Sequence, residues 1–350
     1  MIPRTVYAVI GCDVDPDRPA FLDGVPRPSE GLSWRGAREG IPALKDMLHG
    51  VTDVAGREPV ITWLIRADEQ VRELEGHDGW FARTHQPLLQ SLRASGDELG
   101  WHPHFWRRDH GTRTWYQEIE DVDWQVAMLH QAHGDLVTCL PGPPTSVRMG
   151  WAYLNNRTCR ALEDLGIAVE FSAIPGYRTL TARPPARSEN LFDWYGSPRS
   201  PFRPSQADYR RPAEGTETPS RLLEAPSFVS TSLRWALLGG VQLARKTRDP
   251  GQMWQAVRRP TYCINVTARP RLFAPLVAEL RKLLRQPDGA GRPVVFVTQF
   301  HADELVPNRS RLYGIESVRA NVAALVRACH EAQAPVEFVP ARRIPTLWPS

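Results

Sequence analysis

Short apolar runs that end in charge alternate along this chain with stretches of helical spacing. "TVYAVIGCDVD" is rich in β-formers and stops abruptly in acids, so it predicts a buried strand with carboxylates at its carboxyl end. "GIPALKDMLHGV" then sets Ile41, Leu44, Met47 and Leu48 on one helical face. "PVITWLIRAD" predicts a second buried strand, ending at Arg66 and Asp68, and "WFARTHQPLLQSLRASG" a helix with Gly96 as its stop signal. "DELGWHPHF" reads as a third strand, ending in histidines, followed by the helix "VDWQVAMLHQAHGDL". "SVRMGWAY" passes from strand to loop. "NNRTCRALEDLGI" is a helix with Asn155 or Asn156 as N-cap, and the strand "AVEFSA" follows. The rhythm resumes late, with the helix "RLFAPLVAELRKLLRQ", the strand "PVVFVTQFHADEL", the helix "SVRANVAALVRACHEA" and a last strand, "VEFVPA".

Alternation at this spacing predicts an α/β protein with a parallel sheet, open or closed into a barrel. Polar residues gather at the carboxyl ends of successive strands, where barrel active sites are built. Residues 176–235 break the pattern. They are rich in Pro, Arg, Ser and Gly, and predict an irregular excursion over the barrel mouth within a single domain spanning residues 1–350.

Composition narrows the class. Among 350 residues, 42% are hydrophobic and 23% charged, as in a soluble globular protein. A net charge of +4, with basic residues scattered among acids, does not predict a nucleic-acid partner. Five widely spaced cysteines without a CxxC pair argue against both a cysteine-built zinc site and a disulfide framework. No apolar run approaches the roughly 18 residues of a membrane span. The N-terminal apolar run is short and passes straight into acids without a small-residue cleavage site, which predicts cytoplasmic residence.

Two fragments carry the chemistry. In "CDVD", Asp13 and Asp15 share one face of a strand end, because side chains alternate with period two. Carboxylates that close oppose each other's ionisation unless a cation lies between them. In "HPH", His102 and His104 are related in the same way. One Asp with two neutral imidazoles is a common ligand set for zinc or another divalent transition metal, and the spare carboxylate can serve as general base. Either fragment alone is also compatible with an ordinary polar turn.

The ordered series "GCDVDPD", "GDELGWHPHFW", "SVRMGWAYLNNRTCRALEDLGIAVEFSAIPG" and "VFVTQFHADEL" resembles the polysaccharide deacetylases of carbohydrate esterase family 4 over about residues 6–175 and 290–340. "FDWYGSPRSPFRPS" and "LLEAPSF" resemble a loop and strand of bacterial members. The resemblance implies a distorted (β/α)7 barrel and a divalent metal, zinc first, with cobalt, nickel or manganese as alternatives. It implies that Asp13 is the general base and Asp15 a metal ligand. His102 becomes the first metal histidine, Arg148 the arginine that fixes the base, Trp151 a wall of the acetyl pocket, and His301 the general acid. Two positions depart from the usual pattern. Val14 separates the two acids, and Trp106 stands where the second metal histidine usually lies. His104 is the nearest substitute, with His110 in reserve.

The activity implied is hydrolysis of an N-acetyl group on an amino sugar, in a polysaccharide or a glycan precursor. Two other readings remain open: hydrolysis of a different non-peptide C–N bond on the same barrel, and a catalytically inactive glycan-binding homologue. The residues themselves also admit plainer roles. Arg148 could pair with a surface acid, His301 and Trp151 could belong to the core, and Asp68 could line the cleft or cap a helix. Asp303 and Glu304 read as capping or supporting groups.

Overall fold

A computed structural model describes residues 4–17, 32–109, 111, 115–179, 192–247, 251–286, 292–307 and 312–348. The strands are β1 (Val6–Val14), β2 (Ile61–Arg66), β3 (Glu98–His102), β4 (Trp106–Arg108), β5 (Trp115–Gln117), β6 (Ser146–Val147), β7 (Val169–Glu170), β8 (Arg178–Thr179), β9 (Phe192–Asp193), β10 (Leu223–Glu224), β11 (Val294–His301) and β12 (Val336–Phe338). Seven of them lie side by side in the order β10-β7-β6-β3-β2-β1-β11, every neighbour parallel. The two edges meet at a parallel bridge between Ser227 and Val297, where the Phe228 N–H donates to the Val297 carbonyl at 2.8 Å. The chain is therefore an α/β protein with a distorted (β/α)7 barrel. β12 joins the amino end of β1, alongside Val6 to Ala8.

Period-two alternation divides the apolar residues into two cores. Val9, Leu64, Val169, Phe171, Leu223, Val295 and Val297 point into the barrel, where Val339, Ala341 and Ile344 pack with them. The Ala341 N–H donates to Thr62 Oγ1 and the Arg342 N–H to Glu98 Oε2. Thr62 and Glu98 lie at the amino-terminal ends of β2 and β3, so this C-terminal segment closes the amino end of the barrel. The opposite parity faces the helices, with Trp63, Trp101, Val147 and Phe296 among the buried side chains of that larger core.

Most expected elements form, with two differences. The helix expected over residues 80–96 is two helices, Trp80–Thr84 and Gln86–Ala94, meeting at His85. Pro87 lacks an amide proton and its ring would strike the carbonyl four residues earlier, so a new helix starts there. The segment read as an irregular excursion ends in β10 and the closing bridge, so its last part completes the barrel wall. Two residues of strand framed by Pro and Ser leave too little period to be seen in sequence. Asn155 caps the helix Asn156–Asp164 through a capping box with Thr158.

One polar pair is buried on the outer face of the barrel. Glu170 and Glu224 are register partners and both are fully buried. Glu224 Oε1 accepts the Ala173 N–H at 3.1 Å. Burial first, then the adjacent Glu170 charge, pushes the Glu224 carboxyl well above the usual range. An acid so raised binds its proton more tightly when folded. Its stabilisation is complete below the ordinary glutamate value and is lost as pH rises through the raised one. Glu224→Gln keeps the acceptor oxygen and offers Glu170 a permanent N–H. The variant should gain on the parent by about 1.4 kcal/mol for each pH unit across that window. Urea unfolding followed from pH 5 to pH 8 measures this, and parallel stability profiles for the two proteins would rule it out.

Candidate metal centre

Six inward-facing or end-of-strand side chains converge at the carboxyl end of the barrel. Asp13, fully buried, lies opposite His301 in the β1–β11 register. Arg148, just past β6, donates from Nη1 to Asp13 Oδ2. The same oxygen lies 3.4 Å from His301 Nε2. Asp13 Oδ1 is buried without a hydrogen-bond partner, with His102 Nδ1 3.8 Å away.

Asp15 faces the two histidines. Its Oδ2 is 3.5 Å from His102 Nε2 and 3.5 Å from His104 Nε2, and the two Nε2 atoms are 3.0 Å apart. His102 Nδ1 contacts the Arg148 carbonyl at 2.6 Å, so Nδ1 carries the proton and the Nε2 lone pair faces the triangle. Burial, then the Arg66 charge, lowers His104 to about 4, so its imidazole is neutral near pH 7. For His102 burial acts downward, but the Asp13 and Asp15 carboxylates outweigh it and the net direction is up. Burial acts upward on Asp15, yet His102, His104 and Arg66 hold it well below the usual range.

This donor set fits a divalent ion. Ligand atoms about 2.1 Å from a tetrahedral metal lie about 3.4 Å apart, and the observed edges are 3.0–3.5 Å. Two imidazole nitrogens and one carboxylate oxygen are the ligands such an ion takes. All three residues are buried, and they form one group of mutually close donor atoms. His110, the reserve ligand, lies outside the described residues.

The elements around the triangle account for its shape. Arg66, 2% exposed at the end of β2, reaches Asp15 Oδ1 at 3.4 Å through Nη1 and Asp68 Oδ2 at 2.8 Å through Nε. Asp68 caps the helix Glu69–Glu75 by accepting the Val71 N–H, and also accepts the His104 N–H at 3.1 Å. It is thus a cap that also anchors the histidine loop. Sequence reading marked Arg66 as a strand-end charge without assigning it this role. Its signal was an arginine at an inward parity, two residues before an acid.

Trp106 stacks on His104 with ring centroids 6.4 Å apart and planes 10° from parallel. Trp151 meets Trp106 edge-on at 5.7 Å. Trp151 and Ala152 both adopt left-handed backbone, at φ 60° and 57°, which is strained for residues with side chains. Four hydrogen bonds hold that turn: Gly150 N–H to the Pro103 carbonyl, Ala152 N–H to the Met149 carbonyl, Tyr153 N–H to the Gly150 carbonyl, and Trp194 Nε1–H to the Ala152 carbonyl at 2.7 Å. His301, whose side chain is 25% exposed, has Glu304 Oε1 3.6 Å from its Nδ1. Glu304 is itself held by Asn265 and Thr267. That places its carboxylate near His301 without a hydrogen bond to Nδ1.

No family model matches this chain, and no curated protein matches it. Solved structures do. A candidate glycoside hydrolase/deacetylase from Parabacteroides distasonis superposes with a TM-score of 0.58 at 14% identity, over 99% of this chain and 72% of that one. The two chains share a fold. A candidate polysaccharide deacetylase from Mycobacterium smegmatis gives 0.49 at 16% identity, over 98% of this chain and 90% of that one. An allantoinase gives 0.48 at 12% identity, over 99% and 90%.

Within this barrel, Gly150 sets the position of His104. A Cβ there would lie 2.2–2.4 Å from atoms of the His104 ring. Gly150→Ala should therefore displace one corner of the triangle and leave the distant core untouched. A zinc affinity lowered about 10–100-fold is expected, with an unchanged far-UV spectrum. Competition against a chromophoric chelator reads the affinity, and parental affinity would show that His104 does not ligate.

Proposed function

We propose that this protein is a metal-dependent hydrolase of the polysaccharide deacetylase type, which removes an N-acetyl group from an amino sugar. The observation that carries this reading is the placement of Asp13, with Arg148 and His301 on one of its oxygens, beside the Asp15, His102 and His104 triangle. A divalent ion held there, zinc in this reading, supplies Lewis acidity toward the acetamide carbonyl and toward water.

The chain's own groups do the rest. Arg148 occupies Asp13 Oδ2 and leaves buried Oδ1 without a donor, so Oδ1 is the atom that takes a proton from the attacking water. His301 is the most accessible of the site's titratable side chains, and its Nε2 delivers a proton to the departing amine. Glu304 orients that ring from the Nδ1 side. Half-buried Trp151, backed by the buried Trp106, offers an aromatic face on which a sugar ring can stack. Residence in the cytoplasm, and with it a precursor glycan as substrate, belongs to the same reading. Among the described residues, no helix is long and apolar enough to cross a membrane.

Asp13→Asn should lower acetate release from N-acetylated sugars by about 10³-fold or more while about one equivalent of zinc is retained. His102→Ala should lose both turnover and metal. Metal analysis coupled to an acetate assay over a panel of acetamido sugars decides the matter. An active Asp13→Asn protein would remove the assignment of the base. Turnover of a ureide or formamide, with none of the acetamido sugars, would replace the substrate class. Glycan binding without any release would favour an inactive homologue.

A further inference from the structure

The connection from β10 to β11 leaves the carboxyl end of the barrel as a pair of helices, Leu233–Thr247 and Gly251–Arg258, packed against each other. Its base is closed by an antiparallel bridge between Ser230 and Tyr262. The chain then returns through Asn265, which holds Glu304, the residue beside His301. The helical pair is therefore rooted at the rim of the candidate site.

Its solvent side is not that of an ordinary surface hairpin. Of the six large hydrophobic residues exposed among the described residues, four lie here: Leu233 at 48%, Leu238 at 49%, Trp254 at 68% and Val257 at 47%. Exposed Arg234 and Arg258 lie among them. Over residues 233–260 the sequence holds six basic residues, Arg234, Arg245, Lys246, Arg248, Arg258 and Arg259, against the single acid Asp249. Arg259 is used at the base, where it donates to the Ser197 carbonyl. Elsewhere in the protein acids and bases nearly balance, so the local excess is a property of this element.

We infer that the helical pair docks the protein onto an anionic lipid surface, with Trp254, Val257, Leu233 and Leu238 entering the interface. Apolar side chains with an indole among them, flanked by arginine, are the pattern of an interfacial helix rather than of a spanning one. The basic excess is complementary to anionic headgroups. A second copy of the chain is the poorer occupant, because a two-fold interface would set this basic element against itself. Docking by this element turns the rim of the barrel mouth toward the bilayer. Resting on the deacetylase reading, this specifies the substrate as an N-acetylated glycan carried on a membrane lipid.

The test is flotation of the full chain with vesicles of phosphatidylcholine and phosphatidylglycerol in equal parts, and with phosphatidylcholine alone. Binding at least about tenfold tighter to the anionic vesicles, and weakened by salt, is expected. The exposed-site variant Trp254→Ser/Val257→Ser should lose about tenfold or more of that binding. Its turnover of a water-soluble acetamido sugar should stay parental, which separates this inference from the proposed activity. Equal binding to both vesicle types, or no binding, overturns the inference. So does sedimentation that finds a dimer abolished by the same substitutions.

Discussion

Two carboxylates buried two residues apart at the end of one strand govern the mouth of this barrel. Asp13 is 0% and Asp15 7% exposed, so neither keeps the hydration that would normally offset its charge. Each has its own guanidinium: Arg148 from the end of β6 on Asp13, Arg66 from the end of β2 on Asp15. Removing one partner from a buried pair of this kind costs about 3–5 kcal/mol, because the remaining charge is left uncompensated. The parallel register running from β11 through β1, β2 and β3 to β6 is what brings these groups within reach. The same register sets His301 beside Asp13 and His102 beside both acids.

The division of cations gives two similar aspartates different surroundings. Arg148 and His301 share one oxygen of Asp13 and leave the other free of donors. Arg66 takes the far oxygen of Asp15 and leaves the near one facing two imidazoles. A free carboxylate oxygen next to a convergent N, N, O donor set is an arrangement that can hold a proton and a metal at adjacent positions. Val14 between the acids is compatible with this, since period-two alternation puts Asp13 and Asp15 on one side of the strand end.

Much of this was legible in the sequence. The runs ending in "CDVD", "WLIRAD", "GWHPH" and "FVTQFH" located four barrel strands and the polar residues at their carboxyl ends, because apolar runs bounded by charge are a local signal. What escaped was non-local. β10 is two residues long and is a strand only because β7 flanks it and β11 meets the chain just beyond it. The break at His85 turned on one proline, which the apolar period of the helix concealed. The bracing role of Arg66 required knowing which way its side chain points, and its partners Asp15, Asp68 and Gln70, with His104 reached through Asp68, are scattered between residues 15 and 104.

Trp106 stands where the family resemblance would place a second histidine, and tertiary packing turns His104 toward the triangle instead. His104 faces the triangle because Trp106 backs its ring, Asp68 holds its main chain, and Gly150 yields the space the ring occupies. Each of the three comes from a different strand end or loop, and the turn that contributes Gly150 is closed by two left-handed residues. Strained backbone of this kind persists only where its surroundings over-determine it. Here they do: the Pro103 and Ala152 carbonyls each accept a hydrogen bond across the turn, one of them from the fully buried Trp194. The part of the chain that sequence reads as irregular thus supplies both the clamp on the histidine turn and the last strand of the barrel. The geometry of the candidate site depends on that segment as much as on the regular βα units.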